Sequence, residues 1–282
     1  MKIKIHYYSG AGNLFSVIDN RKSIISQERL PNFAKLVCSK FARDAIKTEG
    51  LIAIENSSNY PFKVQFFNPD GSSGMMCGNG ARCAIAFARS IGLLNNIAFL
   101  ETFHFQLADT LYSARILENS YQVDFDFPKQ IRNDLIININ NNHKINADFI
   151  DIGTPHLLIN YNQLNYLNTD FDELDLISFA KPIRYNSDLF PNGTNVSIYK
   201  IDMDNLVKLR TYERGVEAET GACGTASVSL GYLLFSKRLC NDPLAIIPTS
   251  KIPLFIHFSE KKIILEGPAE EIGEKEIEFF GD

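Results

Sequence analysis

The chain has 282 residues, 45% of them apolar and 22% charged, enough for two cores of about 100–150 residues each and unlike a disordered or fibrous protein. A formal net charge of −5 without long runs of one sign leaves no basic stripe to follow a phosphate backbone, so a nucleic-acid partner is not expected. No stretch reaches the roughly 18 apolar residues of a membrane span, the N-terminus has no apolar signal core, and five irregularly spaced cysteines make no disulfide framework, so a soluble cytoplasmic protein with free thiols is expected.

Alternating apolar and polar residues predict strands at KIKIHYY (2–8), LIAIE (51–55) and FKVQFFN (62–68). GARCAIAFARSIGLL (80–94) then predicts a helix that is small or apolar on nearly every face and therefore buried. A strand at YQVDFDF (121–127) is followed by NDLIININNNHKIN (133–146), a hairpin with an Asn-rich turn. VSIYKI (196–201) is a strand, GTASVSLGYLLFS (224–236) a second buried helix, and LFIHFSEKKIILEG (254–267) two strands about a turn at SEKK (259–262). Strands dominate, and each half is expected to be a sheet wrapped around one helix.

Both helices open on a cysteine and a glycine, Cys77-Gly78-Asn79-Gly80 and Cys223-Gly224-Thr225, 146 positions apart. That distance exceeds any solenoid period and makes the repeat unit a whole domain, with a boundary near residue 118. A cysteine at a helix mouth meets unpaired N–H groups that pull its thiol from about 8.5 towards neutrality, where it can serve as a base. The glycines let the backbone approach a ligand, and the helix start is a carboxylate site. Two such turns facing one carbon would suit inversion of a stereocentre. The alternative for any cysteine is a small buried hydrophobe, which is the expectation for Cys38, Cys83 and Cys240.

NPDGSSGMMCGNGARC (68–83) and RTYERGVEAETGACGTAS (210–227) closely resemble the paired signatures of the diaminopimelate epimerases. SGAGNLF (9–15), GTPH (153–156), PNGTNV (191–196) and LEGPAE (265–270) follow the same family in order, so the resemblance covers almost the whole chain. It implies an α+β fold of two pseudo-symmetric domains, each a curled, mostly antiparallel sheet around a central helix, with the active site in the interdomain cleft. The domains would be 1–118, completed by the C-terminal strand 266–282, and 119–265. The implied activity is conversion of LL-2,6-diaminopimelate to the meso form, on the way to lysine and peptidoglycan, without pyridoxal phosphate, other cofactor or metal, in a homodimer.

By the same resemblance, Cys77 and Cys223 are the acid and base. Gly78 and Asn79, with Gly224 and Thr225, hold the reacting carboxylate, while Asn13, Asn68, Thr154, Asn195 and Arg214 hold the distal end of the substrate. His156 and Glu213 assist the thiols or orient the reacting ammonium. Taken on their own, the asparagines read as turn residues, Asn68 before Pro69-Asp70-Gly71 and Asn195 after Gly193-Thr194. The chain departs from the family at Leu14, where Asp is usual, at Thr154, where Asn usually precedes Pro-His, and at Thr225-Ala226 in place of Thr-Gly. A hydroxyl at 154 lacks the amide's second donor, which bears on distal selectivity.

Proline and hydroxyproline racemases share the two-thiol logic but usually carry His at the Asn79 position and leave Arg214 without a purpose. A broader racemase acting on glutamate stays open, given Thr154. A thiol redox or zinc protein is disfavoured by the absence of Cys-x-x-Cys and by five scattered histidines.

Overall fold

Strand β1 (Lys2–Gly10) turns through Ala11 and Gly12, both at positive φ, into β2 (Asn13–Asp19). Two successive positive-φ residues give the tight turn whose twist matches a hairpin, and this delivers Asn13 to the head of β2. The computed structural model describes residues 2–39, 46–73, 78–107, 110–139, 143–203 and 205–279, and Cys77 lies outside them. Chain contacts divide into two units, Met1–Asp124 with Glu266–Asp282, and Phe125–Leu265.

The first unit continues through α1 (Leu30–Cys38), β3 (Leu51–Glu55), β4 (Lys63–Phe67), α2 (Gly78–Ser90), β5 (Phe103–Leu107), β6 (Thr110–Ile116) and β7 (Tyr121–Phe125). β1–β2, β3–β4, β5–β6 and β6–β7 are antiparallel, whereas β2–β3 and β4–β5 are parallel. Parallel neighbours need a crossover, and α1 and α2 lie in these two. The period-2 pattern of β1 sends its side chains both ways. Ile3, Ile5 and Tyr7 join Leu30, Phe33, Ala34 and Val37 of α1 in one core, while His6 and Tyr8 meet Phe87 of α2 on the other face, ring centroids 4.9 and 5.9 Å away.

The second unit contains β8 (Gln130–Asn138), β9 (Lys144–Asp151), β10 (Pro155–Asn160), a 3-10 helix (Tyr161–Leu167), α3 (Leu176–Arg184), β11 (Asn195–Met203), β12 (Leu206–Glu213), β13 (Ala218–Glu219), α4 (Gly224–Ser236), β14 (Leu244–Ile247), β15 (Leu254–Phe258) and β16 (Ile263–Gly267). β9–β10, β11–β12 and β14–β15 are antiparallel, β10–β11 and β12–β14 parallel, with α3 and α4 in the two crossovers. The succession of pairings repeats that of the first unit. β17 (Glu270–Glu278), from the end of the chain, pairs antiparallel with β1, as β8 pairs with β9. The fold is α+β, and among the described residues no helix is long and apolar enough to cross a membrane.

The predicted Asn-rich hairpin is β8–β9, and SEKK is a turn closed by the Ser259 amide donating to the Lys262 carbonyl at 3.0 Å. The helix expected to run to residue 94 stops at Ser90. Gly92, at φ 81, donates to Arg89 O, and Leu93 donates to Ala88 O at 2.9 Å, a Schellman closure that only a positive-φ residue permits. Cys38 and Cys83 are buried as expected, but Cys240 is only half-buried, because it follows the end of α4 on the unit's surface.

α1 and α3 carry no mark in the sequence reading. Each has only nine residues; α1 has Pro31 as its second residue and α3 contains Pro182, so both lack the long uninterrupted period that identifies a helix. Asp175 starts α3 all the same, its carboxylate accepting from the Ser178 amide at 3.1 Å.

Candidate active site

In the second unit, three neighbouring strands and one helix start supply the site. His156 of β10 pairs in register with Asn195 of β11, and Val196 pairs with Tyr212, which brings Glu213 at the end of β12 level with Asn195. Cys223 caps α4 in an extended conformation, φ −117 and ψ 108, and its carbonyl accepts from the Ser227 amide at 3.0 Å. Its thiol is thereby placed beside the first turn of the helix.

The side chains form one connected network. Thr225 Oγ1 is 2.9 Å from His156 Nε2 and 3.4 Å from Cys223 Sγ. Glu213 Oε1 accepts from the Thr220 hydroxyl at 2.5 Å, and its carboxylate also accepts from the Cys223 thiol. Asn195 uses both ends of its amide: Oδ1 accepts from the Arg214 backbone N–H at 2.6 Å, so Nδ2 faces His156 Nε2 at 3.4 Å. Arg214 Nη1 donates to Asn192 O at 2.7 Å. Since Nε2 faces an amide donor, it is the accepting nitrogen, and Nδ1 carries the proton. Nδ1 is buried and, among the described residues, has no partner.

Burial sets the charges here. His156 has no exposed surface, and desolvation, aided by the positive charge of Arg214, lowers its pKa to about 3, so the ring is neutral. Desolvation raises the Glu213 carboxyl, opposed by the hydrogen bonds from Thr220 and Cys223. The sequence predicted a Cys223 thiol drawn towards neutrality by the helix start. Instead it is pushed well above its ordinary value, first by burial and then by the Glu213 carboxylate, against its contacts with the Thr225 hydroxyl and the Ala226 amide. A helix terminus lowers a thiol pKa only when burial and neighbouring charge do not outweigh it.

In the first unit Cys77 lies outside the described residues, and the site is described from Gly78 onward. Asn79, in the first turn of α2, is fully buried, and its Oδ1 accepts from Arg82 Nη2 at 2.9 Å. α2 lies so close to β1 that a Cβ on Gly10 would stand 2.7 Å from the Asn79 carbonyl, so only glycine fits there. Asn13 is buried at the head of β2, and Leu14 beside it is half-buried. Asn68 has a turn role: its Nδ2 donates to Ser72 Oγ at 2.9 Å, across the loop that Gly71 bends at φ 81.

The structure thus brings His156, Asn195, Glu213, Arg214, Cys223 and Thr225 together with Gly224, while Thr154 stands half-buried two residues before His156. Two residues escaped the sequence reading. Thr220 holds Glu213, and Arg82 holds Asn79. Arg82 had a signal, since an arginine inside a helix without a polar face must be buried and paired. Among the described residues His6, Glu271 and Glu274 stand at metal-ligand spacing, but the group contains no cysteine, and Lys4 Nζ already lies 2.6 Å from Glu274.

Known proteins resemble the chain in sequence and in fold. The family model described as "Diaminopimelate epimerase" matches residues 6–102. The diaminopimelate epimerase of Chlorobaculum tepidum is 35% identical over 267 residues, covering 93% of this chain and 96% of that protein. That of Aquifex aeolicus is 32% identical, covering 92% and 91%. Among solved structures, a hydroxyproline epimerase from Agrobacterium vitis superimposes with a TM-score of 0.72 at 12% identity, covering 98% of this chain and 92% of that one. A phenazine biosynthesis protein of the PhzF family from Bacillus anthracis gives 0.71 at 14% identity, covering 99% and 100%. These two share the fold; the sequence relatives, matched over nearly their whole length, carry the closer kinship, and the chain belongs to the diaminopimelate epimerase family.

Proposed function

We propose that this chain interconverts LL- and meso-2,6-diaminopimelate by a two-base mechanism in which Cys77 and Cys223 exchange protons with opposite faces of the substrate carbon. Similarity to diaminopimelate epimerases over nearly the full chain supports the substrate. The cluster of Cys223, Glu213, Thr225 and His156 is the observation that carries the mechanism. The step belongs to lysine and peptidoglycan formation, and we place it in a cytoplasmic homodimer, a state that sedimentation would test.

Burial and Glu213 keep Cys223 protonated at rest, so Cys223 enters the cycle as the acid and Cys77 as the base. The Cys77 thiolate takes the α-proton, the electron pair moves into the carboxylate, and the Cys223 thiol returns a proton from the other face. Cys223 is left as thiolate and Cys77 as thiol, ready for the reverse direction. Negative charge gathering on the carboxylate is met by fixed N–H donors of the helix starts, including those of Gly78, Asn79, Gly224 and Thr225, which need no reorganisation. A neutral His156 holds Thr225 without placing a second positive charge beside the thiol. Asn195 and the half-buried Arg214, with Asn13, Asn68 and Thr154, bind the distal amino-acid end.

In deuterium oxide, wild-type enzyme should label the product epimer before the recovered substrate, and Cys77→Ala and Cys223→Ala should each lose epimerisation in both directions. Equal early labelling of both isomers would mean one base serving both faces and would end this reading. Thr154 and Leu14, where the family usually has Asn and Asp, favour testing a broader racemase. Wash-in of deuterium into L-glutamate or L-proline at a rate near that of diaminopimelate would establish it.

A further inference from the structure

Glu217 closes the turn that carries Arg214, and it does so at φ 55, a left-handed conformation that is unfavourable for a residue with a Cβ. Its amide donates to the Glu213 carbonyl at 2.8 Å. Its carboxylate folds back over the turn: Oε1 accepts from the Gly215 amide at 3.0 Å and from Arg184 Nη2 at 2.9 Å, and Oε2 from the Tyr212 hydroxyl at 3.0 Å. Arg184, the last residue of α3, also lies against Gly193, where a Cβ would collide with its guanidinium. Gly193 sits in the segment that receives Arg214, whose Nη1 donates to Asn192 O and whose backbone N–H donates to Asn195 Oδ1. We propose that Glu217 and Arg184 are positioning residues, a clamp that holds the turn 213–217 against the segment 192–195 and so aims Arg214 at the distal carboxylate of the substrate.

An arginine grips a carboxylate well only if its fork points the right way before the ligand arrives, since ordering a long side chain on binding costs affinity. The two bonds of Arg214 set its direction, and both depend on the spacing between the turn and the segment. Arg184 touches each of these, the turn through its ion pair and the segment at Gly193. The pair is partly withdrawn from water, with 13% of the Arg184 side chain and 33% of the Glu217 side chain exposed, so it is less screened than a surface pair. A guanidinium has five donors, and the bond to Asn192 leaves others for a ligand. The acid–base end of the turn is anchored separately: Glu213 accepts from the Thr220 hydroxyl and pairs with Ala218 of β13, which closes the base of the turn, while the Glu217 carboxylate holds its tip at Gly215. Loss of the clamp should therefore disturb the distal end and spare the proton transfers.

The inference rests on the reading of Arg214 as the residue that binds the distal carboxylate, so the experiment includes Arg214→Met. Epimerisation of LL-diaminopimelate gives kcat and KM for that variant, for Glu217→Gln, Glu217→Gly and Arg184→Met, and for the doubles. Arg214→Met should raise KM about a hundredfold, the loss of a charge-assisted pair. Glu217→Gly removes the clamp and the backbone strain together, and should raise KM about tenfold with kcat changed less than about threefold, the sign of lost ground-state binding. Glu217→Gln keeps an acceptor for Arg184 and Gly215 and should stay within about threefold of wild type in KM, a rescue by the conservative change. Arg184→Met should match Glu217→Gly, and the two together should be no worse than either by more than about twofold, because they act as one device. On the Arg214→Met background Glu217→Gly should lower kcat/KM by less than about twofold, since the group it aims is gone. A full tenfold loss there, an unchanged KM in Glu217→Gly, or a fall in kcat at unchanged KM would overturn the clamp and leave the role of Arg214 intact. If Arg214→Met kept the wild-type KM, the distal reading would fall, and this inference with it. Should Glu217→Gly not fold, Arg184→Met carries the same cycle.

Discussion

α2 and α4 are the same device anchored in two ways. Each has 13 residues, follows a cysteine, starts on glycine and lies in a crossover between parallel strands. At the second helical position stand Asn79 in one and Thr225 in the other, both buried and each held by a basic side chain. Asn79 is held by Arg82 from its own helix, and Thr225 by His156 from a neighbouring strand. The position of Arg82 is taken in α4 by Val228. A guanidinium keeps its charge at any working pH, whereas His156 is kept neutral by burial. A repeated scaffold thus has one helix start with a permanent cation and another with a neutral ring and a carboxylate, Glu213, which suits the proposed two-base cycle, in which the two thiols begin in opposite protonation states.

The largest break in this comparison is at Glu213. Glu213→Gln removes the carboxylate that shares a proton with Cys223, and kcat should fall by roughly 10²–10⁴-fold, the range of positioned acid–base groups. The same change removes the negative charge that raises the thiol pKa. Cys223 should therefore alkylate faster at fixed pH although catalysis is slower, as mapping of iodoacetamide-labelled peptides would show. Slower alkylation in the variant would mean that Glu213 does not raise the thiol.

Next is the link between helix and strand. Thr225→Val keeps the shape of the side chain but leaves His156 Nε2 with only the 3.4 Å contact to Asn195 Nδ2. Leaving a buried ring nitrogen this poorly satisfied costs about 1–3 kcal/mol, to be read by denaturant unfolding. Activity should fall about tenfold, since the hydroxyl also touches Cys223 Sγ.

His156 carries a pH signature that Arg82 cannot. Its pKa is about 3 in the fold against 6.5 for a free side chain, so the unfolded chain takes up a proton that the native one refuses. This part of the stability is complete above the unfolded value and is lost as pH falls from there towards 3, with a slope of about 1.4 kcal/mol per pH unit. Between pH 7 and 5, His156→Gln should lose about 2 kcal/mol less than wild type. Equal slopes in the two proteins would show that His156 takes up its proton over the same pH range in the native and the unfolded chain.

How much of this could be read beforehand depended on how local its cause is. The limits of α4 follow from its own residues, Cys223-Gly224 at one end and an apolar run to Ser236. The chemical state of Cys223 does not, because it is set by Glu213 ten positions away, brought alongside by the register of β11 and β12, and by burial under the sheet. Thr220 was missed for the same reason, as nothing in ETGACG says which carboxylate its hydroxyl will meet. α1 and α3 were missed because their stability comes from packing: Phe33 and Val37 enter one core, Leu176, Ala180 and Ile183 another, and nine residues hold too few turns to show a period. Arg82 is legible in the sequence, in the middle of the most specific motif, because an arginine in a helix without a polar face must be buried and paired.

The smallest test is at the far ends of the two helices, where the repeat holds to the single residue. α4 closes as α2 does, Arg238 N donating to Phe235 O at 3.0 Å and Leu239 N to Leu234 O at 2.8 Å. The residue that must take positive φ is Gly92 in α2, at 81°, and Arg238 in α4, at 56°. Both are exposed, so packing contributes little and backbone strain should decide. Gly92→Ala places a Cβ on a left-handed residue and 3.3 Å from Asn95 Nδ2, and should cost about 1–2 kcal/mol. Arg238→Gly relieves a comparable strain but adds freedom to the unfolded chain, so its gain should be near 0.5 kcal/mol. Equilibrium unfolding of the two variants should then move in opposite directions while kcat stays put, since neither position lies at a helix start. Stabilisation by Gly92→Ala, or a loss in Arg238→Gly, would mean that the two closures are not equivalent and that the repeat stops short of the helix ends.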